Sequence, residues 1–337
     1  MPRDLSKPLT QVELVVADED TGLRLDHFLS DRLPWRSRSD LQRRIRDGLI
    51  RVNGQAARPA LRLQSGMRVL VMVTAADNIE AEVPHELPLQ FLFEDAYLLA
   101  LNKAPGTVVH PVGRHVNNTL LNVLHARHAR LSPAIGNTAP MIVHRLDKDT
   151  SGVLVFASDE DARRVLGMDF ETRKVRKSYL ALVHGSVNSA EGSIDRPIDA
   201  DVSSPVQTKM CVADSGKPSL THFQTLYRSD LFSLLRFLPS TGRQHQIRVH
   251  AEAMGHPLLC DRLYGVANPN PDNIQVFRDH HGQELTRQAL HAEALHFQHP
   301  AAANTVHLHA PLAADLAAFL PTGFELGPPP ALELSPK

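Results

Sequence analysis

Apolar positions in the first part of the chain keep helical spacing. Leu25, Phe28, Leu29 and Leu33 recur three and four residues apart and predict a short helix that Pro34 ends. Leu41, Ile45 and Leu49 repeat every four residues and predict a second helix, with Ser37 or Ser39 as its cap and Gly48 near its end. Arg43, Arg44 and Arg46 fall largely off that apolar stripe and are expected to face outward. Ile50-Arg51-Val52 reads as a strand entering the turn Asn53-Gly54, a strong hairpin signal, and Gly66 with the run Val69 to Val73 predicts a further strand. Residues 1–20 show no clear period and are read as a flexible arm. Residues 76–88, acidic and broken by Pro84 and Pro88, read as a linker.

A larger domain, 89–325, follows. Phe91-Leu92-Phe93 and Leu98 to Leu101 predict strands joined around Glu94-Asp95, and Leu120, Leu121, Val123 and Leu124 predict a helix. Residues 128–140, carrying Pro133, Gly136 and Pro140, read as a loop, and the chain ends in a proline-rich tail, 326–337. Between them the apolar runs Ile142-Val143 and Val153 to Ala157 read as strands of a buried sheet, with a dense polar cluster as the tight connection. Gly152 gives that connection backbone freedom, while Asp149, Thr150 and Ser151 can bond local amides. Asp147 is therefore expected at the rim of a sheet beside Arg145 and Lys148, where a cation can keep a partly dry carboxylate ionised. Lys177 to Val183 predicts a strand with Tyr179 projecting from one face, and Leu234 to Leu238 predicts another that runs into a turn and a helix start at Thr241 to His250.

Composition changes this picture little, but charge does. The 337 residues carry ordinary apolar and charged fractions, and no apolar run approaches the roughly 20 residues that span a bilayer. Cys211 and Cys260 lack metal-ligand spacing, as expected of reduced thiols in a cytoplasmic protein. The net charge is −1, yet the window 21–75 holds eleven arginines against four aspartates, so it carries +7 and the remainder −8. Arginine suits bidentate phosphate contacts, so the window reads either as a nucleic-acid-binding module or as a solvated helix face, between which charge alone does not choose.

Two hydrolytic readings remain open at this level. His144, His245 and His250 invite a metal, but their spacing fits neither a His-x-x-x-His pair nor an open zinc site. Asp147 and Asp149 would point the same way about 7 Å apart, which an inverting hydrolase could use, yet no aromatic sugar platform accompanies them.

The N-terminal residues Arg24-Leu25-Asp26, Ser37-Arg38-Ser39, Ile45, Gly48, Ile50 and Val52-Asn53-Gly54 resemble an S4 RNA-binding domain over 21–75. That resemblance implies RNA contacts from the second helix and the turn after it, at Arg38, Arg43, Arg44, Arg46 and Asn53. The rest resembles the RluA family of RNA pseudouridine synthases. The pieces are His144-Arg145-Leu146-Asp147 with Thr150-Ser151-Gly152, Lys177-Ser178-Tyr179, Thr241-Gly242-Arg243 with His245 to His250, and His256-Pro257 with Asp261 and Tyr264-Gly265. Asn102-Lys103 and Gly106 fit the family's early loop, Gln288 to Ala292 fits its large-subunit subgroup, and Cys260 stands where the family usually has glycine.

The resemblance implies an α+β fold: a mixed, mostly antiparallel central sheet crossed by the cleft, behind a small α+β S4 domain. It implies an isomerase that needs no cofactor or metal, with Asp147 as the catalytic carboxylate. Arg243 would pair with it, Tyr179 stack on the uracil, Arg145 extrude the base and Ile247 wall the pocket. The implied partner of this cytoplasmic, non-membrane monomer is structured RNA, 23S ribosomal RNA first and transfer RNA as the alternative. A non-catalytic ribosome-assembly factor is the rival reading.

Overall fold

A computed structural model describes residues 11–33, 38–73, 88–111, 119–135, 138–206 and 208–329. Pro34 and Ser37, most of the 76–88 linker and the tail from residue 330 lie outside the described residues. The described residues fall into two compact units, one within Met1–Leu87 and His110–Pro133, the other within Pro88–Val109 and Ala134–Lys337.

In the first unit, strand β1 (Gln11–Val15) precedes helices α1 (Leu25–Arg32) and α2 (Arg38–Arg46). Strands β2 (Ile50–Val52), β3 (Gln55–Ala56) and β4 (Arg68–Met72) complete a sheet ordered β1-β4-β2-β3. Leu25, Phe28, Leu29, Leu41 and Ile45 pack on Ile50, Val69 and Val71, so the helical stripes and one sheet face make a single core. Asn53 and Gly54 both take positive φ, 47° and 78°, as a two-residue hairpin turn requires. The arm expected over residues 1–20 is corrected over its described part, 11–20, because β1 pairs antiparallel with β4 and Val16 is buried, while residues 1–10 lie outside the described residues. The signal was present: Val12 and Leu14 alternate with polar residues, the period of a half-buried edge strand. Helix α3 (Leu120–Ile135), most of which belongs to this unit, overruns the loop expected from residue 128. Ala126, Arg127, Ala129, Arg130 and Leu131 are strong helix formers, and their summed preference carries the helix on.

The second unit is built on a ten-stranded sheet. Strands β5 (Gln90–Glu94) and β6 (Leu98–Lys103) lead to β7 (Met141–Ile142), β8 (Ser151–Ala157), α4 (Glu160–Glu171) and β9 (Arg176–His184). Next come β10 (Glu191–Asp195), the small pair β11 (Ile198–Ala200) and β12 (Met210–Val212), then β13 (Leu220–Arg228), β14 (Phe232–Pro239) and α5 (Gln246–Ala253). A second small pair, β15 (Phe277–Arg278) and β16 (Glu284–Leu285), precedes β17 (Leu290–Gln298), β18 (Thr305–His309) and α6 (Ala314–Ala317). The order is β10-β13-β14-β9-β17-β8-β6-β5, with β18 beside β17 and β7 beside β8. Every pairing is antiparallel except β17 with β8.

The middle of this sheet is covered on both faces. On β9, Ala181 and Val183 pack with Phe237 and Ile247, while Leu180 and Leu182 pack with Leu234 and Phe319 on the other side. Tyr179 falls on the Ile247 side by the same alternation. Where β8 starts, the parallel contact is so close that a Cβ on Gly152, at φ 106°, would lie 2.1 Å from the Ala292 carbonyl oxygen. That close approach fixes the C-terminal end of the connection that carries Asp147. On the same sheet Arg236 of β14 forks onto Glu293 of β17 at 2.9 and 2.7 Å, and its remaining donors reach the Gly327 and Pro328 carbonyls. The start of the proline-rich tail is thereby anchored on a buried ion pair.

Cys260 is buried in left-handed backbone, φ 56°, with its thiol donating to the Leu285 carbonyl oxygen at 3.0 Å. This explains why glycine suits the position. We expect Cys260→Gly to be tolerated and Cys260→Val to unfold about 2 kcal/mol more easily in urea, although valine is the better core residue, because a branched Cβ is strained at this φ. Equal midpoints for the two variants would contradict the argument.

Candidate active site

The polar cluster forms the connection between β7 and β8, and side chains from outside hold its backbone. Lys103 at the end of β6 donates from Nζ to the Lys148 carbonyl at 2.8 Å and to the Ala104 carbonyl at 2.9 Å. Burial pushes the Lys103 amine down to about 7, with Asp149 opposing the shift. Arg287 donates to the Asp149 carbonyl at 3.1 Å, Gln288 to the Thr150 hydroxyl at 2.8 Å, and the Thr150 amide to the Asp147 carbonyl at 3.1 Å. His144 leaves the cluster, its Nε2 accepting the Val155 amide at 3.0 Å and its ring stacking on Phe170.

Asp147 lies in a cleft of about 110 Å³ lined by this connection, by β9, by the turn before α5 and by Leu290. Tyr179, Ile247, Arg145 and Arg243 line the same cleft, so the structure brings all five expected catalytic and pocket residues together. Arg145 is exposed at the mouth, and Ile247 is 6% exposed in the apolar wall. Burial, reinforced by the charge of Asp147, pushes the Tyr179 phenol well above its usual range, so it stays protonated. Lys177 shares that strand face and donates to the Thr241 carbonyl at 3.0 Å, and burial pulls its amine down to about 8.

The expected pairing of Arg243 with Asp147 is corrected. The guanidinium on Asp147 belongs to Arg248, whose NH1 donates to Oδ2 at 2.8 Å. Arg243 reaches the Pro218 carbonyl, at 3.4 Å from both Nε and NH2, and stays at the cleft's rim. The reason is the backbone between the two arginines. His245 takes φ 55°, which turns the chain into α5 and puts Arg248 on the helix's first turn. Nothing in linear spacing chooses between two arginines five apart. Asp261 aims Arg248, taking Nε and NH2 at 2.7 and 2.8 Å, and its Oδ1 also accepts the Leu263 amide. The guanidinium lies 4.9 Å from the centre of the Tyr264 ring. Burial works against the Arg248 charge, but Asp261 and Asp147 outweigh it and raise its pKa.

For Asp147 burial raises the pKa, yet the attraction of the His245 ring and of the Arg248 guanidinium, with the Arg248 hydrogen bond, outweighs it and holds the carboxyl below its ordinary value. The site thus contains an ionised carboxylate, a protonated phenol, an apolar wall and cations at the mouth. That set can stabilise positive charge on a sugar carbon or attack it.

The arginines of the first unit divide. Leu41 and Ile45 define the buried face of α2, and Arg44 sits three residues beyond Leu41 on that same face. Its side chain is 10% exposed and bonds to Asp40, so the expected outward-facing role of Arg44 is corrected. Arg43 and Arg46 are exposed on the opposite face. Asn53 uses its side-chain oxygen to accept the Arg68 amide at 2.8 Å, which secures the hairpin turn. Arg24, Arg38 and Gln42 all bond to Asp26, which is fully buried, and the bond from Arg24 leads in holding that carboxyl far below its ordinary value.

A depressed carboxyl stabilises the fold above the unfolded pKa of about 4, and that contribution fades as pH falls towards the folded value. We expect Asp26→Asn to cost about 2 kcal/mol at pH 7 and less near pH 2. Urea unfolding of the full chain followed at both pH values tests this, and a loss independent of pH would refute it.

Comparison with known proteins bears on both units. The family model described as RNA pseudouridylate synthase matches residues 97–253, and that of the S4 domain matches residues 23–69. The chain is 38% identical over 312 residues to the ribosomal large subunit pseudouridine synthase D of Nitrosomonas europaea, covering 92% of this chain and 87% of the relative. It is 37% identical over 306 residues to the protein of the same name from Xanthomonas campestris pv. campestris, covering 90% of each. Among solved structures, human RNA pseudouridylate synthase domain containing 1 aligns with a TM-score of 0.53 at 28% identity, over 68% of this chain and 86% of that one.

Proposed function

The chain belongs to the RNA pseudouridine synthase family, and from that premise we propose that it isomerises uridines of 23S ribosomal RNA, with Asp147 as the catalytic carboxylate. The observation that carries the site is the Asp147–Arg248–Asp261 chain beside Tyr179 in one cleft. The ribosomal substrate is supported by the names of the two relatives, both ribosomal large subunit pseudouridine synthases. The S4-like module, 21–75, grips the RNA through Arg38, Arg43 and Arg46, while 89–325 carries out the chemistry and 76–88 links the two.

The reaction breaks the bond from uridine N1 to C1′, turns the base and rejoins it through C5. A uracil must first leave its stack, and Arg145 at the mouth occupies the space it vacates. The freed base lies against the Tyr179 ring and the Ile247 wall. Asp147 meets C1′ as positive charge develops there, either by bonding to it or by stabilising it. Bringing RNA into the cleft dries the carboxylate, which would favour its neutral form. Arg248 prevents this, and Asp261, itself without solvent exposure, keeps Arg248 in place. Arg243 serves at the rim as a phosphate contact.

All these side chains come from one chain, which fits action as a monomer. No described helix is long and apolar enough to cross a membrane. Ribosomal RNA as substrate supports a cytoplasmic location for the enzyme. Pseudouridine mapping in ribosomal and transfer RNA from cells lacking the protein tests the substrate. The expected result is loss of specific 23S positions with transfer RNA unchanged. Loss confined to transfer RNA would overturn it.

A further inference from the structure

One buried imidazole of the cleft, that of His245, touches neither the base nor the ribose in the reaction. His245 approaches Asp147 to 3.8 Å between Nε2 and Oδ2, with its side chain 9% exposed. Oδ2 is also the oxygen that Arg248 holds. The other ring nitrogen, Nδ1, lies 2.8 Å from the Tyr264 hydroxyl. That hydroxyl accepts the Met210 amide at 3.0 Å. Tyr264 is 1% exposed, so its own proton must find an acceptor inside the protein, and His245 Nδ1 is the one in reach among the described residues. A proton delivered to Nδ1 makes Nδ1 the acceptor and leaves the ring hydrogen on Nε2, facing Asp147.

The backbone supports a built arrangement. His245 sits at φ 55° and ψ 17°, a left-handed conformation that costs most non-glycine residues energy. Such strain persists where the surroundings over-determine it, and it clusters at functional sites. The ring also packs edge-on against Tyr264, at 5.7 Å and 83°.

We propose that His245 is a positioning residue, a neutral imidazole that turns its Nε2–H onto Oδ2 of Asp147 when a base fills the cleft and leaves Oδ1 facing the ribose. The inference rests on the reading of Asp147 as the catalytic carboxylate. The 3.8 Å separation is longer than a hydrogen bond, and catalytic hydrogen bonds commonly tighten only in the complex with substrate. Neutrality follows from burial, which pulls the imidazole down to about 4 against the attraction of Asp147. The charged groups facing the ring are Asp147, Arg248, Asp261 and Arg145. Those facing Asp147 are His245, Arg248 and Arg145, with Tyr179 and Lys103 also in its field. The small pair β11–β12 supplies Met210, so the tautomer depends on a strand remote in sequence from the catalytic loop.

The test uses the full chain and RNA carrying tritium at uridine C5, with kcat, KM and the acid limb of the pH profile as readouts. His245→Gly accepts the left-handed backbone and deletes the donor. We expect kcat to fall roughly 10- to 100-fold with KM nearly unchanged, and the acid limb to move up, because Asp147 loses a donor to its charged form. His245→Gln restores an N–H near the Nε2 position and is expected to recover kcat to within about fivefold. Tyr264→Phe keeps the ring under Arg248 but removes the hydroxyl, and should shift kcat and the acid limb the same way as His245→Gly even if the glycine variant folds poorly. Wild-type kcat and an unmoved limb in both variants, or an effect on KM alone, overturns the inference. Activity retained by Asp147→Asn would overturn the underlying reading instead.

Discussion

Asp147→Asn is expected to lower pseudouridine formation by at least roughly a thousandfold while leaving RNA affinity within about threefold. The amide keeps the size of the carboxylate and can still face Arg248, so the fold and cleft survive. It cannot attack C1′ or balance positive charge there. In the binding mode proposed above, RNA affinity comes from the cations at the mouth and on α2, which the substitution leaves in place, and removing a negative charge near phosphates does not weaken binding. Tritium release and filter binding with the same RNA measure the two quantities. Loss of binding in parallel with activity would mean that Asp147 shapes the site rather than reacting in it. The pH dependence has a definite sign. Asp147 is held below its ordinary value, so wild-type activity should persist down to about pH 4 and fall only as pH drops through the lowered value.

Arg248→Met should abolish activity and cost about 3–5 kcal/mol of stability, whereas Arg243→Met should leave stability within about 0.5 kcal/mol. Arg248 spans two carboxylates, one of them, Asp261, without exposed side-chain surface. Removing the guanidinium strands both charges in a dry site, and Asp147 relieves its share of the cost by taking up a proton. The remaining Asp147 is then neutral in the pH range where the enzyme works. Arg243 at the rim is half-buried, and among the described residues its guanidinium meets only the Pro218 carbonyl. Its loss should raise KM modestly and reduce the salt dependence of RNA binding by about one phosphate contact. Urea unfolding and single-turnover kinetics on the two variants separate the arginines. Loss of turnover in Arg243→Met with Arg248→Met active would reverse the assignment.

Sequence reasoning reached far where chemistry is local. The helical stripes of α1 and α2, the Asn53-Gly54 hairpin, β8, β9 and β14 follow from periodicity and turn chemistry, which are properties of neighbouring residues. Motif resemblance reached the cleft itself, since Arg145, Asp147, Tyr179 and Ile247 converge there. It stopped at choices that depend on direction in space. The edge strand β1 is a strand because β4 offers it a partner, and Arg44 turns inward because its face of α2 is the packed one.

The amino-acid order alone therefore determined which segments form elements, which residues gather at the cleft, and that an ionised carboxylate would be their centre. Only the tertiary structure decided which arginine holds that carboxylate, that Asp261 steadies the arginine, and that Tyr264, bonded to the Met210 amide, stands against His245. The division has one physical cause. Strand and helix formation is set by contacts a few residues apart. Charge pairing in a dry site is set by which side chains from distant segments share a few ångströms, and one left-handed residue at position 245 redirects that geometry without altering any motif.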